Sequence, residues 1–276
     1  ILQADACGAA ARPFSTRGRA WERDLVLRVA PEPALIRLLI GGWDRVFEIG
    51  RCFRNEGVSP RHHPEFTLLE AYEAFVPMAR TLDRLDALWV SGFAAAGVDP
   101  AAVPFQGQQL DFTRVARRDL REMVAQAWGT DDPEALRRAL AEEGVACESA
   151  VQAWLLAFER RVEPALVQPT AVCGWPEEVS PLAASDEGWA RRFEVYAAGM
   201  ELANGYEQET NRERQRARFA RQAANSDGDV MAADAAYLDA MAWGMPPLSG
   251  FGVGMDRWVQ LAMDAPHIRD AIVLAR

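Results

Sequence analysis

Basic and acidic side chains are concentrated between residues 51 and 72, where the sequence reads RCFRNEGVSPRHHPEFTLLEAY. Arg54, Arg61 and His62 lie close together in the polar middle of this segment. The planar guanidinium group of arginine matches phosphate oxygens with paired hydrogen bonds, so this composition suits a polyphosphate ligand. The segment therefore predicts nucleotide chemistry.

Two strands should hold this polar segment at its ends. The apolar run VFEI at 46–49 precedes it, and alternation resumes from Phe66 to Ala74, which predicts a strand, a polar loop and a second strand. Because strand side chains alternate between faces, Phe66, Glu70 and Tyr72 share one face. An aromatic ring, a carboxylate and a phenol on one face predict a pocket for ATP and an amine.

A solvated hairpin is the ordinary alternative for a charged loop between two strands. Glu70 argues against it, because it shares a face with Phe66 and Leu68, and burying a carboxylate without a partner is costly. The pocket interpretation is therefore preferred.

A glycine-rich run, GFGVGMDR at 250–257, reads as a strand that enters a helix. Its alternating glycines, Gly250, Gly252 and Gly254, remove side chains from one strand face, which would let an aromatic base approach the backbone. Arg257 then lies in the first turn of the helix. Alone, such a run is more often a packing feature, and the arginine-rich segment changes that balance.

A second hairpin is predicted in RRFEVYAAGMEL, with its turn near Ala197 to Gly199. This turn would bring Glu194 and Glu201 roughly opposite each other. Carboxylate oxygens are ligands that Mg²⁺ prefers, although two exposed strand carboxylates are the alternative.

These motifs together resemble the class II aminoacyl-tRNA synthetases of the lysyl branch. FRNEG followed by RHHPEFT is similar to motif 2, and GFGVGMDR is similar to motif 3. ELANGY, EEVSPLA, GAAARPF and APE are also lysyl-like and stand in the family order. The resemblance covers most of the chain and implies ATP-dependent amino acid activation with Mg²⁺.

The resemblance implies a role for each matching residue. Arg54 would stabilise the transition state at the α-phosphate, and Arg257 would cover the adenine and reach the γ-phosphate. The other implied nucleotide contacts are Glu56 to the adenine amino group, Phe66 stacked on the ring, and Arg61 and His62 at the outer phosphates. Glu194 and Glu201 match the glutamates that hold magnesium.

The implied amino acid pocket contains one departure from the family. Its matching residues are Gly8 and Glu32 for the α-amino group, Glu70 and Tyr72 for the side-chain channel, and Asn204, Tyr206 and Gln208 on one strand face. The lysyl pattern has glutamate at the position of Gln208, where the carboxylate pairs with the substrate ε-ammonium. Losing this charged bond costs about 1.5–3 kcal/mol, unless a bulge brings Glu207 or Glu209 into the pocket. A modified, shorter or neutral relative of lysine is the other explanation.

The sequence leaves the acceptor open. The preferred hypothesis is a stand-alone ligase that transfers a lysine-like group to a protein or a small amine, similar to the bacterial elongation factor P lysine ligase. The ARPF and EEVSPLA segments favour the alternative, the catalytic part of a lysyl-tRNA synthetase charging tRNA. A non-catalytic amino-acid-binding paralogue is opposed by the presence of Arg54, Arg257, Glu194 and Glu201.

Composition is that of an ordinary globular protein: 276 residues, half hydrophobic and a quarter charged, with a net charge of −10. This charge does not favour nucleic acid over the whole surface, although a local basic patch can bind RNA. No apolar run is long enough for a membrane span and no signal peptide is apparent, so a cytoplasmic protein is expected. The four cysteines and three histidines form no zinc pattern.

The expected fold class is α+β, an antiparallel sheet flanked by helices over residues 1–276, with a helical insertion at about 101–166. An anticodon-binding domain and motif 1 are not recognised, and a homodimer is expected from the family. Helices are expected near Pro33–Leu39, at 79–96, after Asp132, after Ser149 and before Pro164, at Arg212–Ala224 and at about 255–263.

Overall fold

The computed structural model describes residues 1–4, 11–224 and 235–273. The strands in chain order are β1 (Leu2–Gln3), β2 (Ser15–Gly18), β3 (Arg23–Leu27), β4 (Arg45–Phe53), β5 (Glu65–Ala74), β6 (Val103–Phe105), β7 (Gln108–Leu110), β8 (Ala116–Asp119), β9 (Thr170–Pro176), β10 (Ser185–Asp186), β11 (Trp189–Ala197), β12 (Met200–Glu207) and β13 (Leu248–Gly254). The α-helices are α1 (Glu32–Ile40), α2 (Met78–Ala95), α3 (Leu120–Trp128), α4 (Pro133–Glu142), α5 (Ala150–Ala157), α6 (Arg212–Ala224), α7 (Ala235–Met241), α8 (Met255–Ala262) and α9 (Ile268–Ala271).

The chain divides into two compact units. Unit 1 comprises Ile1–Thr81 with Gly205–Arg276, and unit 2 comprises Leu82–Asn204. The loop between β4 and β5, which carries Arg54, Arg61 and His62 and is called the cationic loop below, belongs to unit 1 together with the glycine-rich strand β13. The hairpin with Glu194 and Glu201 belongs to unit 2.

Unit 1 is built on antiparallel strands. β5 pairs with β4 on one side and with β13 on the other, and β1, β3 and β2 form a small separate sheet. In these registers Glu70 lies opposite Glu48 of β4 and Gly252 of β13. Leu35, Ile36 and Leu39 on one side of α1 are buried, which fixes the start of this helix beside the strands.

Unit 2 has a mixed sheet and a helical core. β9 pairs antiparallel with β11 and parallel with β8, while β10 pairs with β11. Helices α3, α4 and α5 bury a common apolar cluster that includes Leu120, Val124, Leu140, Trp154 and Phe158. Burial of such side chains, rather than helix propensity, is the main source of stability for short helices.

The sequence-based expectations for most elements are confirmed. The fold is α+β with an antiparallel-rich sheet flanked by helices. The strand–loop–strand and strand–helix patterns appear as β4–β5 and β13–α8, and α2 and α6 occupy the expected segments. Asp132 accepts hydrogen bonds from Glu134 and Ala135 at the start of α4, with Pro133 at its first position, as a helix cap should.

The helical interpretation of 101–166 is wrong for its first part, which contains β6, β7 and β8. Gln106 and Gly107 join β6 to β7 with positive φ at both residues, 50° and 79°, the geometry of a tight hairpin turn. The helix capped by Ser149 ends at Ala157, but the chain continues as a π-helix at Phe158–Val162 and a 3₁₀ turn that contains Pro164. The short helices α7 and α9 were not anticipated.

Across the described ranges, none of the helices is both long and apolar enough to cross a bilayer.

Candidate active site

A polar loop joins β4 to β5 and carries the cationic residues predicted from the sequence. At its base the amide of Arg54 donates to the carbonyl of Pro64 at 2.8 Å, which adds one hydrogen bond to the pairing of β4 with β5. At its tip the amides of Ser59 and His62 donate to each other's carbonyls at 3.1 and 3.3 Å. Backbone hydrogen bonds therefore hold the loop both at its base and at its tip.

Arg54 lies over the ring of Phe66, with 5.0 Å between its Cζ and the ring centroid. Its Nε is buried and has no hydrogen-bond partner among the described residues. A buried donor without an acceptor costs about 1–3 kcal/mol, so an anion placed here would relieve that cost. Because Arg54 covers one face of Phe66, an adenine ring would stack on the other face or displace the guanidinium.

Arg257, in the first turn of α8, reaches the same loop. Its Nε donates to the carbonyl of Arg61 at 3.1 Å, and its Nη2 lies 3.0 Å from Nε2 of His62. Since a guanidinium only donates, this nitrogen of His62 accepts, and Nδ1 then donates to Oγ of Ser59 at 2.8 Å. The structure thus brings the two sequence motifs together at the loop tip, whereas the side chains of Arg61 and Glu56 are exposed.

Glu32, the first residue of α1, is a buried carboxylate with neutral donors. The hydroxyl of Tyr206 and Nε2 of Gln208 both donate to its Oε1 at 2.5 Å. The carbonyl of Gln208 in turn accepts from the hydroxyl of Tyr237 at 3.3 Å. A chain of hydrogen bonds therefore runs from α7 through Gln208 to Glu32.

Glu70 is a second buried carboxylate in this region. The hydroxyl of Tyr72 donates to its Oε2 at 3.2 Å. Burial, and next the charge of Glu32, raise the pKa of Glu70 well above its usual value, while Tyr72 and the positive charge of Arg54 act in the opposite direction. The two carboxylates leave a negative environment that a cationic ligand would neutralise.

The glycines of β13 have a different use from the one expected at Gly250. A Cβ there would lie 2.1 Å from Cδ1 of Tyr72, so this glycine makes room for the tyrosine ring. At Gly252 a Cβ would lie 3.5 Å from Cγ of Glu70, which is ordinary contact. The expectation that Gly250 leaves space for a base is therefore wrong, because a protein side chain fills it.

The neighbours of Gln208 do not replace it in the pocket. The carboxylate of Glu207 accepts from the amide of Met78 at 2.9 Å. Glu209 is buried against Arg218, with 3.4 Å between Oε2 and Nη2. Both carboxylates thus have partners away from Glu32, and Gln208 is the residue that bonds to Glu32.

In unit 2, Glu194 and Glu201 lie on a hairpin with a two-residue loop, Ala198 and Gly199, both with positive φ. This loop length makes the two glutamates diagonal neighbours on one face rather than direct partners. Arg192 and Tyr196 bond to the carboxylate of Glu194. Its pKa is raised to about 7, first by burial, with Glu201 adding to the effect and Arg192 opposing it.

The remaining predicted site residues are placed less completely. Asn204 belongs to unit 2, and its Oδ1 is buried without a hydrogen-bond partner among the described residues. Gly8 lies outside the described residues. The described ranges contain no cluster of three or more His, Cys, Asp or Glu side chains suited to a metal. Two carboxylates suffice when phosphates and water complete the shell.

Sequence reasoning missed Tyr237 and Arg192. Tyr237 stands in an alanine-rich run that carries no motif, and only the fold brings it to Gln208. Arg192, by contrast, alternates with Glu194 and Tyr196 along β11, so strand periodicity could have placed it on their face.

A loop of arginine and histidine between antiparallel strands, approached by an arginine after a glycine-rich strand, defines the class II synthetase type of catalytic domain. The family model for class II tRNA synthetases (D, K and N) matches residues 1–276. The chain belongs to this family.

Curated relatives specify the branch. The lysine–tRNA ligase of Leuconostoc mesenteroides subsp. mesenteroides is 39% identical over 99% of this chain and 58% of its own length. Those of Paraburkholderia phymatum and Burkholderia cenocepacia are each 40% identical over 96% of this chain and 56% of theirs. The chain thus spans somewhat more than half the length of these relatives.

Proposed function

We propose that this chain is the catalytic part of an aminoacyl-tRNA ligase that activates lysine, or a close diamino relative, with ATP. The observation that carries the proposal is the pair of buried carboxylates, Glu32 and Glu70, in the same unit as the buried, unpartnered Nε of Arg54. A diamino acid has two ammonium groups and one carboxylate, which is the complementary charge pattern. Buried charges require such partners.

Transfer to tRNA is favoured over a protein or small-amine acceptor. All the relatives described above are lysine–tRNA ligases by name and are about 40% identical over nearly the whole of this chain. The stand-alone ligase, preferred from the sequence, has no comparable support and becomes the second candidate. The non-catalytic paralogue is the third.

In the proposed first step, a carboxylate oxygen of the amino acid attacks the α-phosphorus of ATP. A new P–O bond forms, the bond to the bridging oxygen breaks, and pyrophosphate leaves with that electron pair. Arg54 would hold the attacking carboxylate and the α-phosphate and offset the charge that develops between them. A hydroxyl of the tRNA terminus would then displace AMP from the aminoacyl group.

The other contacts are proposed from the family resemblance. Phe66, Glu56 and Arg257 would bind the adenine, and Arg61 and His62 the outer phosphates. Magnesium, when bound, would neutralise phosphate charge, and Glu194 and Glu201 are the proposed ligands. Gly8, Tyr72, Asn204, Tyr206 and Gln208 remain proposed members of the amino acid site.

Three further expectations remain proposals. They are a homodimer, a cytoplasmic location, and a catalytic domain over 1–276 with an insertion at about 101–166.

Two assays test the proposal. Amino-acid-dependent ATP–pyrophosphate exchange should occur with lysine, and the comparison should include ornithine, β-lysine, arginine and norleucine. Exchange with none of them would favour the non-catalytic paralogue. Charging of purified tRNA by this chain separates the first two candidates, since activation without charging would favour another acceptor.

Arg54→Ala should reduce exchange to background while circular dichroism and thermal unfolding stay close to those of the parent chain. Near-normal exchange would contradict the role proposed for Arg54.

A further inference from the structure

We propose that Tyr237 is a positioning residue for the amino acid site, acting on Glu32 through the amide of Gln208. This inference rests on the proposed function, because it assigns a role within the site where the amino acid would bind. It concerns a residue on α7 that no sequence motif identifies.

The hydrogen bonds have one consistent direction. The Tyr237 hydroxyl donates to Oε1 of Gln208 at 3.3 Å, and Nε2 of Gln208 donates to Oε1 of Glu32 at 2.5 Å. Because a side-chain amide has one accepting and one donating end, the tyrosine donor and the carboxylate acceptor select the same orientation. The backbone of Gln208 is fixed separately, since its amide donates to the carbonyl of Leu248 at 3.0 Å.

The hydrogen bonds from Tyr237 through Gln208 to Glu32 are called the relay here. Its three side chains are buried, with Tyr237 2%, Gln208 3% and Glu32 4% exposed. Water therefore cannot replace a lost donor easily, and the carbonyl of Gln208 would remain unpaired without the tyrosine hydroxyl. The ring of Tyr237 packs against Phe219 of α6, with centroids 6.2 Å apart. Ring packing and hydroxyl bonding can thus be separated by substitution with phenylalanine.

The relay predicts a particular kinetic signature. Glu32 would bind the amino acid equally in the ground state and the transition state, so a less well-oriented carboxylate should raise KM and leave kcat nearly unchanged. Loss of one neutral buried hydrogen bond corresponds to a change of roughly twofold to tenfold. A general packing defect would instead lower the fraction of active protein.

The experiment measures lysine-dependent ATP–pyrophosphate exchange for Tyr237→Phe. KM for lysine should rise twofold to tenfold at nearly constant kcat. Leu238→Ala is the matched control, because Leu238 is a buried residue of the same helix. It should lower the thermal midpoint and leave KM for lysine unchanged. Unchanged KM in Tyr237→Phe, or an equal rise in Leu238→Ala, overturns the inference.

A double-mutant cycle tests the path through Gln208. In a Gln208→Leu background, Tyr237→Phe should have no further effect on KM, because the acceptor of the hydroxyl is gone. Additive effects would show that Tyr237 acts by another route and would overturn the inference. If the parent chain shows no exchange with any amino acid, the proposed function itself fails, which is a distinct outcome.

Discussion

Replacing Gln208 by glutamate changes one atom type at the centre of the proposed amino acid site. The amide nitrogen that donates to Oε1 of Glu32 at 2.5 Å becomes a carboxylate oxygen. The carbonyl that accepts from Tyr237 is retained as the second oxygen. The substitution therefore removes a donor beside Glu32 without altering the volume of the side chain.

The repulsion between the introduced carboxylate and Glu32 can be worked out from the distance between them. Two unit charges 2.5 Å apart repel by about 7 kcal/mol at an effective dielectric constant of about 20. That energy corresponds to roughly 5 pKa units, so the introduced glutamate and Glu32 would share one proton at neutral pH. A substrate ammonium can replace this proton and gain a charge-assisted bond of about 1.5–3 kcal/mol, or roughly tenfold to a hundredfold in affinity.

The assay is the ratio of kcat/KM for lysine to that for norleucine, measured by ATP–pyrophosphate exchange between pH 6 and pH 9. Norleucine lacks only the ε-amino group, so the ratio isolates that interaction. In Gln208→Glu the ratio should rise about tenfold to a hundredfold, and the gain should be larger at higher pH because the shared proton must leave. Calorimetry in buffers of different ionisation enthalpy should detect release of about one proton on lysine binding.

Asn211→Asp is the matched control, because it makes the same amide-to-carboxylate change outside the pocket. Asn211 caps α6 by accepting from the amides of Glu213 and Arg214 at 3.0 Å, and aspartate caps equally well. This control should leave the ratio unchanged. An unchanged ratio and no pH dependence in Gln208→Glu itself would refute the placement of position 208 beside the ligand.

Three other predictions follow from the described contacts. Because burial and Glu32 raise the pKa of Glu70 above its ordinary value near 4.5, the folded state holds a proton that the unfolded state loses, so stability falls as pH rises above that value. Glu70→Gln should make this slope smaller in urea unfolding measured at pH 5 and pH 8, the remainder coming from other buried carboxyls such as Glu194, and it should weaken lysine binding. A slope equal to that of the parent chain would contradict the assignment. With the pKa of Glu194 at about 7, the magnesium concentration for half-maximal exchange should rise below pH 7. Glu194→Gln should raise this concentration at all pH values. If neither the pH nor the substitution alters it, Glu194 does not bind magnesium. Phe158→Ala should destabilise the core of unit 2 by about 3–5 kcal/mol, seen as a lower urea midpoint, and a change below about 1 kcal/mol would show that the ring is not a core element.

Alternation and turn signals were sufficient to predict the elements around the cationic loop. Even spacing predicts that Phe66, Glu70 and Tyr72 share one face of their strand, and the apolar runs on both sides of the arginine-rich loop favour paired strands. The antiparallel class and the position of Arg257 at the start of α8 followed from the same local patterns. These features depend on residues close together in the sequence.

Other features could not be predicted because they depend on contacts between residues far apart in the sequence. Ala116–Asp119 forms a strand because Thr170–Pro176 offers it a parallel partner, and a single sequence does not reveal that pairing. The strands β6 and β7, in contrast, pair with each other as a local hairpin, and this turn signal was overlooked. Tyr206 and Gln208 share a strand face, as alternation predicts, since both donate to Glu32. The orientation of the Gln208 amide depends on Tyr237, a residue 29 positions away. The filling of the space above Gly250 by Tyr72 is likewise a contact between different strands.

That contact between Tyr72 and Gly250 alters how mutational surveys of the glycine-rich strand should be interpreted. A methyl group added at Gly250 would overlap the tyrosine ring at 2.1 Å and force the phenol away from Glu70. The same methyl group would lie 2.5 Å from the carbonyl oxygen of Ala71, so β5 would also have to shift. Under the proposed function, a loss of activity at this position of the nucleotide motif would thus arise from damage to the amino acid site around Tyr72 and Glu70.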